Sequence, residues 1–256
     1  MNDGAIFEII DGRGDTPVLL LCDHATNIVP SDVGGGHLGI SDAEMARHIA
    51  YDIGARGLTL ALAERLGAPA VLSRFSRLVI DPNRGEDDPT LVMRLYDGTI
   101  VPENRRITAE EVARRIRTYH RPYHAAVTAA IDAMLARGVT PVLVAVHSYT
   151  PQLRGRGLRP WHVGILWHHD GRLARPLLAR LRAEPDLCIG DNEPYSGQLE
   201  GDSMSRHGTG RGLAHALIEM RHDLIADPAA QEAWADRLAP MLQEAAAQAL
   251  TEESPR

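Results

Sequence analysis

The chain is poor in cysteine and in aromatic residues, and it contains no long apolar run. Its two cysteines, Cys22 and Cys188, are too few for a disulfide framework, so both are predicted to be buried free thiols in a reducing compartment. No apolar run approaches the length that a bilayer requires. The first residues lack the basic start and the apolar core of a signal peptide. These absences argue against membrane proteins and disulfide-rich secreted proteins, and we expect a cytoplasmic location.

Positive charge is also in deficit. The formal net charge of −7 argues against broad binding to nucleic acids or to acidic membranes. A length of 256 residues, 44% of them hydrophobic, is ordinary for a globular protein with a full-sized core. Because no repeat, low-complexity tract or linker is visible, residues 1–256 are predicted to form one domain.

Two apolar runs of strand length each end in a histidine. Val18–Cys22 leads into His24, and residues 140–146 lead into His147. Continuous apolar character over this length favours strands that are buried on both faces of a parallel sheet. Open α/β sheets build their sites at the carboxyl ends of such strands, so the two imidazoles are predicted to share a metal site. The alternative is that each histidine merely caps its strand.

The rest of the sequence alternates between strand and helix patterns. Further strands are predicted at residues 5–10, 70–72, 78–80, 161–167, 187–189 and 214–220. Helices are predicted at residues 41–66, 108–137, 172–181 and 228–250, with a break near Pro122. This order predicts a single-domain, three-layer α/β/α fold with a mostly parallel mixed sheet, of the phosphorylase/hydrolase-like type.

Other polar clusters compete for a functional role. Arg74, Arg77, Asn83 and Arg84 crowd residues 73–84 and could hold an anion, although they could also be exposed arginines on a turn. His120 and His124 have the spacing of a helical metal pair, and His168 and His169 are adjacent. A proline interrupts the first pair and strand geometry separates the second, so both are weaker ligand candidates than His24 and His147.

Several short motifs follow one another in a fixed order along the chain. They are Asp23-His24-Ala25-Thr26-Asn27, Ser73-Arg74-Phe75-Ser76-Arg77, Asp81-Pro82-Asn83-Arg84, Arg121-Pro122-Tyr123-His124, His147-Ser148-Tyr149, Arg206-His207-Gly208 and Glu219-Met220-Arg221. Taken in this order, they resemble the motifs of the N-formylglutamate amidohydrolase family. The order is also distantly similar to that of zinc carboxypeptidases and aspartoacylases.

The resemblance implies hydrolysis of N-formyl-L-glutamate to formate and L-glutamate with a divalent metal, most readily Zn²⁺. It places His24 and His147 on the metal and a catalytic acid–base group at Glu219, with Glu193 as the rival base. The third ligand stays open. Asn27 occupies the position where the carboxypeptidase pattern has glutamate, and the other choices are Asp23 or another carboxylate.

The resemblance also implies a small-molecule substrate that is bound by named side chains. Arg84, with Arg77 or Arg74, would clamp its carboxylate, and Asn83 and Tyr149 would complete this binding site. On a glycine-rich loop, Arg206 and His207 would stabilise the oxyanion or close over the substrate. We expect a monomer or a small homo-oligomer.

Three other functions compete with this one. The chain has Asp-His-Ala-Thr where the family is expected to have Pro-His-Ser-Gly, so another N-acyl amino acid or a small peptide could be the substrate. His147-Ser148 could belong to a serine hydrolase, but the Gly-x-Ser-x-Gly motif is absent. Asn27 at a ligand position is consistent with a binding homologue that has lost its catalytic metal.

Overall fold

The strands form one large sheet and one small hairpin. The computed structural model describes residues 5–252. Within them the strands are β1 (Phe7–Ile10), β2 (Val18–Cys22), β3 (Ala70–Ser73), β4 (Leu95–Tyr96), β5 (Thr99–Ile100), β6 (Val142–Tyr149), β7 (Val163–Leu166), β8 (Ile189–Asp191) and β9 (His215–Arg221). The hairpin of β4 and β5 was not predicted from the sequence.

The seven-stranded sheet has the order β1-β3-β2-β6-β9-β7-β8. Strands β3, β2, β6 and β9 run parallel to one another, whereas β1 pairs antiparallel with β3 and β7 pairs antiparallel with β9. The carboxyl ends of β2, β6 and β9 therefore meet at one edge of the sheet, where open α/β sheets place their sites.

Helices cover both faces of the sheet. They are α1 (Asp42–Met45), α2 (Ala55–Leu66), α3 (Pro102–Arg105), α4 (Ala109–Arg115), α5 (Arg121–Ala136), α6 (Ala174–Arg182) and α7 (Pro228–Ala249), and single π-helical turns lie at Ile116–His120 and Met204–Gly208. Helices α2, α6 and α7 pack on one face, and α5 packs on the other. The predicted three-layer α/β/α fold with a mostly parallel sheet is confirmed.

Strand β2 shows why the central strands have uniformly apolar sequences. Alternate side chains of a strand point to opposite faces, and both faces of this strand are covered. Val18 and Leu20 pack with α2 and α7, whereas Leu19 and Leu21 pack with α5. The prediction for the cysteines holds only in part, since Cys22 at the end of β2 is buried but Cys188 is exposed.

The helix predicted at residues 41–66 is two helices separated by an irregular segment. Ser41 caps α1 as expected, since its hydroxyl accepts a hydrogen bond from the backbone N–H of Glu44. The chain then leaves the helix, and α2 begins only after Gly54, whose φ of 80° lies in the left-handed region. Within the break, the backbone N–H of Asp52 donates to the carbonyl of His24 at 3.0 Å. The break therefore brings Asp52 to the end of β2.

Two further predictions have opposite outcomes. Residues 78–80 contain a turn at 78–79 instead of a strand, and the carbonyl of Leu78 accepts a hydrogen bond from the Asn104 side chain at 2.7 Å. The break expected near Pro122 is confirmed, because the π-helical turn Ile116–His120 separates α4 from α5. Within residues 5–252, each helix falls short of the combined length and apolar character that a transmembrane span needs.

Candidate metal and active site

Two histidines and one aspartate converge at the carboxyl ends of β2 and β6. Oδ2 of Asp52 lies 2.8 Å from Nδ1 of His147 and 3.3 Å from Nδ1 of His24. One ligand atom of each residue lies within 4.8 Å of the others, and all three residues are buried. Two imidazole nitrogens and a carboxylate oxygen form a donor set of the kind found in catalytic zinc sites. The residues present therefore fit a divalent metal.

The opposite nitrogens of both imidazoles are held by carboxylates. Nε2 of His24 lies 2.7 Å from Oδ1 of Asp81, and Nε2 of His147 lies 3.1 Å from Oδ2 of Asp23. Burial alone raises the pKa of Asp23, but the hydrogen bond and charge of His147 outweigh it and lower that pKa to about 2. Carboxylates in this position fix the ring orientation of metal-binding histidines. They leave the two Nδ1 atoms facing Asp52.

Asp52 takes the place in this group that the sequence assigned first to Asn27. The side chain of Asn27 instead donates from Nδ2 to the carbonyl of Met45 at 2.9 Å, on the α1 side of the chain. The group of three therefore favours another carboxylate, Asp52, as the third ligand, and the role of Asn27 stays a prediction from the sequence. Asp23, the second choice, supports His147 from its far side.

Glu219 lies next to this group in a cavity of about 540 Å³. Its strand, β9, pairs with β6 so that Glu219 is the register partner of His147. The side chain is buried, and its Oε2 atom has no hydrogen-bond partner among the described residues. Burial, only partly offset by the positive charge of His147, raises the pKa of Glu219 to about 7. A carboxylate of this kind is suited to accept a proton near neutral pH.

The predicted substrate-binding residues divide between the cavity and its surroundings. Asn83, Arg84 and Tyr149 line the cavity, and Nε of Arg84 has no hydrogen-bond partner among residues 5–252. Arg77 also lines it, but its guanidinium is already bound by Asp81 at 2.7 Å. Arg74 is not among the lining residues. Nε of Arg77 is unpartnered too, but Arg77 is paired with Asp81 and Asp52, whereas Arg84 has no carboxylate partner among the described residues and is the better candidate to bind an anionic ligand.

Arg206 and His207 line a second cavity of about 340 Å³ and not the one that contains Glu219. Nε2 of His207 lies 2.9 Å from Nδ1 of His124 on α5. The reason is the π-helical turn Met204–Gly208, which directs His207 to α5 while Met204 lines the first cavity. The expected contact of Arg206 and His207 with the reacting group stays a prediction, and in this structure both residues line the second cavity.

The competing histidines have other partners. Nε2 of His124 donates to the carbonyl of Pro82 at 3.0 Å, and Nε2 of His120 donates to that of Arg84 at 2.9 Å. These two rings support the loop that carries Asn83 and do not form a metal pair. His168 and His169 line the first cavity at its exposed rim.

The rival nucleophile Ser148 and the rival base Glu193 do not have the surroundings that these roles require. The hydroxyl of Ser148 donates to the carbonyl of Ile53 at 2.7 Å, so it is bound to the backbone and not to His147. Glu193 is exposed and is not among the residues that line the cavity, whereas Glu219 is. Neither residue is placed as a nucleophile or as a base.

Sequence reasoning missed two acidic residues of the site. Asp52 lies between Ile49 and Ile53 in an apparent helix, where an aspartate usually indicates a solvated face. Only Gly54, two residues later, indicated a break. Asp202 is buried in the cavity wall, and burial raises its pKa to about 6. Its position after a glycine in a polar loop gave no signal of burial.

Comparisons with known proteins show the family to which this chain belongs. Residues 16–226 match the model of a family described as N-formylglutamate amidohydrolase. The chain is 27% identical over 214 residues to an N-formylglutamate deformylase of Pseudomonas aeruginosa, and the match covers 76% of each protein. It is 28% identical over 159 residues to a deformylase of the same name from Pseudomonas putida, covering 57% of this chain and 58% of the relative.

Two solved structures resemble the whole chain. A gene product of Agrobacterium tumefaciens is 32% identical, with a TM-score of 0.90 and coverage of 98% of both chains. The N-formylglutamate amidohydrolase of Ralstonia eutropha is 24% identical, with a TM-score of 0.66 and coverage of 96% of this chain and 98% of the other. The second likeness, at this identity, concerns the fold alone.

Proposed function

The chain belongs to the N-formylglutamate amidohydrolase family, and we propose that it hydrolyses N-formyl-L-glutamate to formate and L-glutamate with the help of a divalent metal. The observation that carries this proposal is the position of Glu219 beside His147, in the same cavity as His24 and Asp52. A base and a metal donor set at one end of a cavity are what metal-assisted amide hydrolysis requires.

The metal would be held by His24, His147 and Asp52. Zn²⁺ is the first choice, because two histidines and one carboxylate are a common donor set of catalytic zinc. A bound divalent cation polarises an amide carbonyl and lowers the pKa of water. Asp52 and Asp23 raise the pKa of the buried His147 although burial lowers it, so His147 must give up a proton when it becomes a ligand.

Glu219 would move the proton. As a carboxylate it accepts a proton from the attacking water, and as a carboxylic acid it returns that proton to the amide nitrogen when the C–N bond breaks. Its unpartnered Oε2 atom is available for both steps. Arg77, which is bound by Asp81, keeps the positions of the ligand-supporting carboxylates fixed.

Arg84 would bind a carboxylate of the glutamate part. Its planar guanidinium can pair with a carboxylate through two parallel hydrogen bonds. Asn83 positions this arginine, because its Oδ1 accepts a hydrogen bond from the backbone N–H of Ser203 at 3.1 Å and its own carbonyl faces Nη1 of Arg84 at 3.3 Å. Tyr149 contributes its ring to the cavity wall, since its hydroxyl donates to the carbonyl of Trp161.

The wider setting is also part of the proposal. We infer one catalytic domain that acts on a small molecule in the cytoplasm, as a monomer or a small homo-oligomer. A cavity of about 540 Å³ suits a small-molecule ligand. The net charge of −7 disfavours nucleic acid as a partner.

The experiment is an assay of formate release from N-formyl-L-glutamate, with zinc, cobalt or iron supplied. N-formyl-L-glutamine serves as the comparison substrate, because it differs from N-formyl-L-glutamate only in having an amide in place of the side-chain carboxylate. We expect hydrolysis of the glutamate compound, and loss of activity with a metal chelator but not with a serine-directed fluorophosphonate. Inhibition by the fluorophosphonate alone would support the serine hydrolase instead, and binding without turnover would support the inactive homologue.

A further inference from the structure

The cavity that contains Glu219 continues along strand β9, away from the two histidines. Glu219, Leu217 and His215 are alternate residues of this strand, so their side chains share one face of the sheet. All three line the cavity. At about 3.3 Å per residue, the line from Glu219 to His215 spans roughly 13 Å. The cavity is therefore elongated in the direction of the strand.

The middle of this elongated cavity is apolar. Leu217 of β9 pairs with Leu166 of the antiparallel strand β7, and both side chains line the cavity. Trp167, the residue after Leu166, also lines the cavity, as does Met204. A formyl group carries only a hydrogen atom on its carbonyl carbon and leaves such a wall without a partner. The wall matches an aliphatic chain instead, because burying apolar surface is favourable.

The order of the strands decides which part of a substrate meets this wall. Asp81, three residues before Arg84, contacts His24 after the end of β2, which places Arg84 on the β2 side of the metal ligands, whereas β7 lies on the other side, beyond β9. If Arg84 holds the carboxylate of the amino acid, the acyl group on the far side of the scissile amide extends towards Leu166 and Leu217.

We propose that the cavity accepts N-acyl amino acids whose acyl group is an unbranched aliphatic chain of several carbons, in addition to the formyl compound. This inference rests on the proposed amidohydrolase function and names its substrate class. Water adds to the acyl carbonyl, the C–N bond breaks, the nitrogen gains the proton, and the products are a fatty acid and the free amino acid.

The far end of the cavity limits the length of acyl chain that can be buried. His168 and His169 line it there, and both are exposed. A chain that reaches these two residues re-enters water, where an added methylene gains nothing from burial. The benefit of chain length therefore rises at first and then stops.

The test is the kcat/KM of the zinc-supplied protein for N-propanoyl-, N-butanoyl-, N-pentanoyl- and N-hexanoyl-L-glutamate. Their carbonyl groups have nearly the same reactivity, so differences report binding of the chain. We expect kcat/KM to rise on the order of fourfold per methylene, the value for full burial of one methylene. N-formyl-L-glutamate is measured separately, because its carbonyl is intrinsically more reactive.

The outcomes separate this inference from the function on which it rests. A flat or falling series, with N-formyl-L-glutamate hydrolysed, overturns the inference and leaves the deformylase. A rising series without hydrolysis of the formyl compound overturns the deformylase and supports the inference. Hydrolysis of none of these compounds overturns both.

A substitution tests whether the acyl chain of the substrate binds in the apolar part of the cavity. In Leu217→Phe the larger side chain fills the apolar part, so the ratio of kcat/KM for the hexanoyl and propanoyl compounds should fall towards one. Leu158→Phe is the matched control, because Leu158 is 75% exposed and does not line the cavity. An unchanged ratio in folded Leu217→Phe, checked by circular dichroism, would overturn the placement. If that variant does not fold, the series with the unaltered protein still decides.

Discussion

Glu219 and His147 are register partners of the parallel strands β9 and β6. Side chains of register partners on adjacent strands lie on the same face, so the sheet itself sets the base beside a metal donor. This placement does not depend on a flexible loop. It gives Glu219 a role that can be tested separately from those of the histidines.

Replacing Glu219 with glutamine should lower activity without removing the metal. The amide cannot accept the proton of water, so kcat should fall by about 10²- to 10⁴-fold, the usual contribution of general acid–base catalysis. Metal content, measured by elemental analysis, should stay nearly unchanged. Glu193→Gln is the control, since Glu193 is exposed and lies outside the cavity lining. If the control abolishes turnover and Glu219→Gln does not, the base is misassigned.

Replacing Asp52 with alanine should lower metal content and activity together. Asp52 offers the carboxylate oxygen that faces both Nδ1 atoms, and a site with only two ligands binds zinc weakly. Asn27→Ala is the control, because the Asn27 side chain is bound to the carbonyl of Met45. Both variants are analysed for zinc after dialysis. Loss of zinc from Asn27→Ala and not from Asp52→Ala would restore the assignment made from the sequence.

Replacing Arg84 with lysine should weaken substrate binding even though the charge is kept. The lysine loses the planar fork that pairs with a carboxylate, and a hydrogen bond to a charged group contributes about 1.5–3 kcal/mol. We expect KM for N-formyl-L-glutamate to rise by about 10- to 100-fold with little change in kcat. Arg74→Lys, outside the cavity lining, should keep its KM. An unchanged KM in Arg84→Lys would remove this residue from the site.

The raised pKa of Glu219 predicts a pH-dependent stability difference in the metal-free protein. Burial raises this pKa from 4.5 to about 7, so the folded protein binds more protons than the unfolded protein between these values. The free energy of unfolding therefore falls as pH rises through this range. Glutamine does not titrate, so Glu219→Gln should gain about 3 kcal/mol relative to the unaltered protein between pH 4 and pH 8. Urea unfolding at both pH values measures this, and a constant difference would contradict it.

The sequence predicted the sheet better than the site. The burial of strands such as Val18–Cys22 can be predicted from their composition, because a strand that is covered on both faces must be apolar on both. His24 and His147 could be found because each lies within two residues of the end of such a run. Asp52 could not, since its place depends on the left-handed Gly54 and on a backbone hydrogen bond to His24, which are tertiary features.

The second cavity also depends on a structural feature that the sequence does not reveal. Arg206 and His207 have the composition of a catalytic loop, and the sequence gives no sign that the loop contains a π-helical turn. That turn has a different periodicity from an α-helix, so it changes which side chains meet the first cavity. The cavity that these side chains face could therefore not be predicted from the sequence.

The most direct test is a zinc titration of the metal-stripped protein, with formate release from N-formyl-L-glutamate as the readout. If His24, Asp52 and His147 hold one catalytic ion, activity should be absent at the start, rise in proportion to added zinc and level off at one equivalent per chain. Full activity before any zinc is added, or no activity at any zinc concentration, would contradict the account.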